Sequence, residues 1–236
     1  MLRLIGKICL LFLTLQGFLQ AQDELDPFET ETNCKHIFTA HFFNRHWGNG
    51  PSYSGSGSNL EQTATIRKKL PLLLKKYGCQ SVLDAACGDY YWMKEVQLPI
   101  KDYIGVEVVT QLVDLNQRKF GDENRSFVAV DITKDFLPKV DCILCRDCLV
   151  HFSNADILKA LKNFKKSGSK YLLTTSFVKR SSNFSIATGE WQPLNLLAAP
   201  FNLPAPIEIL NEECTAEKSH WRDKSLLLWD LETIFP

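Results

Sequence analysis

Short continuous apolar runs alternate with stretches of helical period along most of the chain. Ser58-Asn59-Leu60-Glu61 has the S-x-x-E form of a capping box. It predicts a helix with Leu60, Ala64, Leu70, Leu73 and Leu74 on one face, kinked or restarted at Pro71 and ended by Gly78. Apolar runs over Ser81–Asp84, Tyr103–Val108, Ser126–Val130, Asp141–Cys145 and Tyr171–Thr175 read as strands. Between them lie helical patterns near Trp92–Val96, over Gln111–Phe120, and after Ser153-Asn154-Ala155-Asp156, where Ile157, Leu158, Leu161 and Phe164 share a face. Apolar strands alternating with amphipathic helices predict an α/β protein whose parallel sheet is covered on both faces. Residues 177–206 break the pattern with four prolines, Pro193, Pro200, Pro204 and Pro206. Two further strands, Ile207–Leu210 and Ser225–Leu231, follow without a strong crossover helix, so they are free to pair antiparallel.

Upstream, Ile37–Trp47 reads as an aromatic helix broken at Gly48-Asn49-Gly50-Pro51. The Gly/Ser stretch Ser52–Ser58 is either a linker or a flap over a ligand. Residues 1–22 differ from the rest. Arg3 and Lys7 precede an apolar run from Ile8 to Leu19, followed by small Ala21 and polar Gln22-Asp23-Glu24. That order predicts a signal peptide or an N-terminal hydrophobic segment. The run is too short for a stable transmembrane span, which needs about 20 residues. With a signal the protein enters the secretory pathway; without one it is cytoplasmic. The division expected is thus 1–22, then 23–58 as N-terminal helix and flap, then 59–236 as the main domain. Seven of the eight cysteines lie outside the apolar run, an odd number that fits poorly with a complete disulfide framework. Lys+Arg and Asp+Glu both number 27, so there is no basic surplus of the kind that nucleic acid requires.

The strongest chemical signal is Val82-Leu83-Asp84-Ala85-Ala86-Cys87-Gly88-Asp89, a strand ending in an acid and a small-residue turn. Ligands of doubly wound sheets lie past the carboxyl ends of the strands, where small residues let backbone approach them. Glu107 stands 19 residues after Gly88, at the end of the next strand, where an acid accepts ribose hydroxyls. Asp131, followed by Ile132, ends the third strand, where an adenine is reached. Three acids at three successive strand ends point to a nucleoside. G-x-G-x-x-G is absent, and Asp89 would repel a pyrophosphate, so a phosphate-free nucleoside fits better than a dinucleotide.

Asp84-Ala85-Ala86-Cys87-Gly88 resembles the D-x-G-C-G motif of class I S-adenosylmethionine-dependent methyltransferases, with Ala86 for the first glycine and Tyr90 for the third. Trp47-Gly48, Ser54 to Ser58, Leu60-Glu61-Gln62-Thr63, Cys145 to His151, Pro193-Leu194-Asn195-Leu196, Pro200 to Pro204 and Asp223-Lys224-Ser225-Leu226 extend the likeness to an uncharacterised bacterial-type group. The resemblance implies a Rossmann-like, doubly wound, seven-stranded and mostly parallel sheet with the last strand antiparallel. It implies S-adenosyl-L-methionine as cofactor, bound through Asp84, Ala86, Gly88, Glu107, Asp131, Ile132 and Cys145. It implies no methyl acceptor.

The segment after the fourth strand, Cys145 to His151, would meet the acceptor. Asp147 and His151 are the available catalytic bases. On one helical turn they would share a face, letting the carboxylate orient the imidazole. Each also has a plain structural reading, His151 at a helix start and Asp147 in an ion pair with Arg146. Cys142 and Cys145 fall on opposite faces of a strand, so no metal is expected from the cysteine spacing there. The aromatic, uncharged insertion around Trp191 is a lid over the acceptor or simple packing, and it favours a small-molecule or glycan-like acceptor. Two rivals are a non-catalytic nucleoside-binding protein on the same fold and an NAD-dependent reductase, the latter disfavoured by the missing glycines. Oligomeric state is not readable.

Overall fold

A computed structural model describes residues 33–234. The signal-peptide reading of residues 1–22 lies outside the described residues. Helix α1 (Cys34–Phe43) opens the unit, with the Asn33 side chain accepting from the His36 amide. Helix α2 (Ala64–Lys76) precedes strand β1 (Ser81–Ala85). Strand β2 (Asp102–Glu107), helix α3 (Thr110–Phe120), strands β3 (Arg125–Ala129) and β4 (Cys142–Cys145) and helix α4 (Asn154–Lys166) follow. Strands β5 (Tyr171–Phe177), β6 (Glu208–Asn211) and β7 (Lys224–Asp230) complete the sheet. Asn33 onward forms one compact unit.

The sheet has seven strands in the order β3-β2-β1-β4-β5-β7-β6. β1 to β5 are parallel, while β7 runs antiparallel between β5 and β6. The expected architecture is therefore present, including the antiparallel last strand. The chain leaves β1 toward β2 and β3, then returns to place β4 on the other side of β1. The carboxyl ends of β1 and β4 flank that reversal, where a crevice opens by topology alone.

Alternation within each strand divides the core in two. Leu83, Ile143, Leu172, Leu227 and Trp229 face a layer containing Ile157, Leu161 and Phe164 of α4. Val82, Cys142, Leu144, Leu173, Leu226 and Leu228 face Ile66, Leu70, Leu73 and Leu74 of α2. Ser153 caps α4 by accepting from the Asp156 amide, as its sequence predicts. The irregular insertion is itself packed down, with Leu194 and Leu196 buried in the core and the Trp229 indole donating to the Pro204 carbonyl at 2.7 Å.

Three local expectations are corrected. The helix near Trp92–Val96 is only a 3-10 turn, Met93–Glu95, closed by Val96 N–H on the Met93 carbonyl. The capping box at Ser58 does not start a helix. Asn59 accepts from the Gln62 amide at 2.7 Å and α2 begins at Ala64, because the Asn59 side chain competes with Ser58 for the free amides. Finally, α2 is one helix from Ala64 to Lys76 with Pro71 inside it, so of the kink or restart expected there the restart does not occur.

Gly105 of β2 lies beneath the turn that follows β1. A Cβ there would meet the Phe127 ring at 2.6 Å and Cys87 Sγ at 3.0 Å. Gly105→Ala is expected to destabilise the protein by about 1–3 kcal/mol through overpacking, read as a lower urea midpoint at unchanged slope. An unchanged midpoint would show that the Phe127 ring yields freely.

Candidate functional site

The crevice past β1, β2 and β4 is a cleft lined on its floor by Asp84, Ala86, Gly88, Glu107, Asp131 and Ile132. Aromatic side chains of α1 and the segment after it, Phe38, Phe42, Trp47 and Tyr53, form its roof. Six of the seven positions expected to contact the cofactor thus face one space. The seventh does not. Cys145 is fully buried in the core under α4, because it still belongs to β4 and its carbonyl is taken by Thr174 Oγ1 at 2.7 Å. Its neighbours Arg146, Asp147 and Cys148 reach the cleft instead.

Glu107 is held from three sides. Its carboxylate accepts from the amides of Val108 at 2.8 Å, Val109 at 3.1 Å and Gly88 at 3.2 Å. Burial raises its pKa, and those three donors pull it back. The Gly88 peptide is clamped at both ends, since Asn116 Nδ2 donates to its carbonyl at 2.8 Å. Gly88 has φ +55°, and a Cβ on it would stand 2.2 Å from Ser54 Oγ. Glycine is needed there by conformation and by space. Asp131 accepts from the amide and hydroxyl of Thr133, so it shapes the turn after β3 as well as lining the cleft. Burial pushes the Asp84 carboxyl up to about 7, opposed by the hydrogen bond from Tyr103 Oη at 2.5 Å and by Arg146.

Asp89 settles the fate of the Gly/Ser stretch. Its carboxylate accepts from Ser52 Oγ at 2.9 Å and from the Tyr53 amide at 2.7 Å. Arg146 Nη2 donates to the Gly57 carbonyl at 2.9 Å. The stretch is thereby fastened near both ends to the loops after β1 and β4, and forms a wall of the cleft. The sequence reading weighed Asp89 only as a repeller of phosphate. Asn116 was missed too, although a polar residue on the apolar stripe of α3, beside Leu112 and Val113, is itself a signal.

The pairing of Asp147 with His151 is corrected. Asp147 bonds Arg146 Nη1 at 3.1 Å and the Lys224 ammonium, and its amide donates to Thr175 Oγ1. Burial alone would raise its pKa, but Arg146 and Lys224 outweigh that and hold it down to about 2. So firmly ionised a carboxylate is a poor general base. Glu212, 1% exposed in its side chain, completes the group by pairing with Arg146 at 2.8 Å and Lys224 at 3.4 Å. The His151 imidazole instead contacts the Glu190 carbonyl through Nδ1 at 2.9 Å. A carbonyl only accepts, so Nδ1 carries the proton and Nε2 keeps its lone pair. Burial lowers the His151 pKa, which keeps the ring neutral near pH 7. The Trp47 ring lies 5.4 Å from it.

The seven described cysteines are free thiols. Among the described residues, no three His, Cys, Asp or Glu side chains come together as a metal site, and no helix is long and apolar enough to cross a membrane.

No protein-family model matches the chain, and no curated protein matches it in sequence. Solved structures do. Human N-acetylserotonin methyltransferase in complex with S-adenosylmethionine superposes with a TM-score of 0.58 at 12% identity, over 84% of this chain and 60% of that one. The N-methyltransferase NodS from Bradyrhizobium japonicum superposes with a TM-score of 0.54 at 15% identity, over 73% of this chain and 98% of that one. The chain therefore has the class I methyltransferase fold.

The raised pKa of Asp84 has a thermodynamic consequence. Above its unfolded pKa of about 4 and below about 7, the folded state binds more protons than the unfolded one at this group. Stability therefore falls as pH rises through that window. Asp84→Asn is expected to lose less stability than wild type between pH 5 and pH 8 in urea titrations. Parallel losses would place the Asp84 pKa near its ordinary value.

Proposed function

We propose that this chain transfers the methyl group of S-adenosylmethionine to a small-molecule or glycan-like acceptor. The observation that carries the reading is the gathering of Asp84, Glu107 and Asp131 on one cleft floor, with the neutral His151 imidazole on the same cleft. The two similar structures are both methyltransferases, in keeping with this reading.

The donor set suits the cofactor. Glu107, fixed by three backbone amides, offers its remaining lone pairs to the two ribose hydroxyls. Asp131 and Ile132 bound the adenine end, with Val108 and Leu112 as apolar walls. Asp84 lies beside Gly88, where an ammonium would restore the charge balance that burial disturbs. Three acids on this floor match a cationic, phosphate-free ligand better than a pyrophosphate. S-adenosylmethionine supplies, when bound, an electrophilic methyl on a sulfonium.

The chain's own contribution to the chemistry is orientation, water exclusion and a proton acceptor. Phe38, Phe42, Trp47 and Phe152 cover the cleft and keep water from it. His151 Nε2 would accept the proton from an acceptor hydroxyl or amine, while that oxygen or nitrogen takes the cofactor's methyl group and the electrons of the broken C–S bond stay on sulfur as a thioether. Asp147 does not share that work. It holds Arg146 and Lys224, and through Arg146 the wall at Gly57.

Two substitutions separate cofactor binding from chemistry. Glu107→Ala should weaken S-adenosylhomocysteine binding by about 1.5–3 kcal/mol, the range for a hydrogen bond to a charged group. Calorimetry checks this, and full affinity in a folded variant would refute the ribose role. His151→Ala should keep that affinity and lose turnover by about a hundredfold to ten-thousandfold. A fully active His151→Ala would make the residue structural.

A further inference from the structure

Asn116 is a polar residue on the face of α3 that packs into the protein. It follows the buried Leu112 and Val113 at helical spacing and is itself 0% exposed. Its carboxamide Nδ2 donates to the Gly88 carbonyl at 2.8 Å. A carbonyl only accepts, so the flipped amide would set two oxygens against each other. The orientation that bonds Gly88 leaves Oδ1 buried with no donor among the described residues. Leucine has the same branched outline and would leave no orphaned acceptor on that stripe. A buried polar atom without a partner is uncommon and calls for an explanation.

What Asn116 holds is a glycine. Gly88 sits at φ +55°. It has no side chain to fix its backbone, so its setting depends on the partners of its amide and its carbonyl. The amide donates to Glu107 Oε2 at 3.2 Å, and the carbonyl accepts from Asn116. The carbonyl's other contact is the Cys87 thiol at 3.7 Å, a weak donor. Glu107 Oε1 is held by the amides of Val108 and Val109, both next to it in sequence, whereas the Gly88 amide holds Oε2 from the neighbouring strand's loop. Gly88 and Glu107 line the cleft, and Asn116 stands behind them. One continuous path of hydrogen bonds thus runs from a helix side chain, through Gly88, to the second oxygen of the acid on the cleft floor.

We infer that Asn116 is a positioning residue for the nucleoside: by holding the Gly88 carbonyl it keeps the Gly88 amide on Glu107, and so keeps both carboxylate oxygens set for the ribose hydroxyls. It touches no ligand and acts only through Glu107. The inference rests on the reading of the cleft as a site for S-adenosylmethionine. It accounts for a buried amide that costs stability, because the donor that fixes the loop sits on a rigid helix.

The test is a double-substitution cycle on the full chain, with S-adenosylhomocysteine titrated by calorimetry. Asn116→Leu should weaken binding about tenfold, the worth of one hydrogen bond between neutral groups. Its urea midpoint should stay near wild type, since the orphaned Oδ1 leaves together with the lost donor. In a Glu107→Ala background the same substitution should cost less than about twofold, because the group it acts through is gone. If Asn116→Leu does not fold, Asn116→Ala takes its place in the same cycle. An equal loss in the Glu107→Ala background would overturn the inference, as would a lowered urea midpoint with affinity intact, which makes Asn116 structural. Binding by wild type that is unchanged in the folded variant overturns this inference alone. A wild-type chain that does not bind S-adenosylhomocysteine overturns the cofactor reading, and the inference with it.

Discussion

The Arg146 guanidinium is the charge on which the working face of this protein depends. Its side chain is 3% exposed, and it reaches Glu212, Asp147 and the Gly57 carbonyl while lying 5.4 Å over the Trp92 ring. A buried cation must be compensated nearly completely, since desolvating a single ion costs several kcal/mol even after relaxation. Meeting that demand draws together the loop after β4, the segment after β6, the start of β7 and the Gly/Ser stretch. Lys224 completes the set as a second cation between the same two acids. The group gains its value from geometry more than from net stability. Removing one member would leave the others buried and unmatched.

The same constraint divides labour between the two residues that the spacing had suggested as bases. Asp147 has a positive φ of 52° and pairs its carboxylate with the two cations. The imidazole is oriented by a backbone carbonyl of the insertion. That segment is pinned by further bonds, from Thr188 Oγ1 to Asp156 at 2.6 Å and between His41 Nε2 and the Gly189 carbonyl at 3.0 Å. The insertion is therefore packed down and also reaches the cleft, with its leucines in the core and the Glu190 carbonyl against the His151 imidazole.

The departures from the glycine motif are absorbed locally. Tyr90 occupies the left-handed region, φ 56°, where a glycine would be strain-free. A non-glycine residue pays on the order of 1 kcal/mol for that conformation. Here the ring is 3% exposed, among Tyr103, Phe120 and Phe127, and its burial offsets the strain. Gly88, by contrast, has no such freedom, because the Gly/Ser wall stands against it.

By itself the sequence determined the α/β class, the strands to within a residue or two, and the three acids at the ends of β1, β2 and β3. These are local properties. Continuous apolar runs, helical period and a strand-ending acid are written in consecutive residues, and parallel topology then carries such acids to one edge of the sheet. The tertiary structure decided what those side chains do. Glu212 and Lys224 lie 66 and 77 residues from their partners Arg146 and Asp147, and the carbonyl that orients His151 is 39 residues beyond it. No periodicity links positions so far apart. Cys145 falls out of the site for the same kind of reason. Whether the last residue of a strand faces the cleft or the core depends on alternation and on which loop residue turns first, and the register of β4 against β1 and β5 sends Cys145 inward.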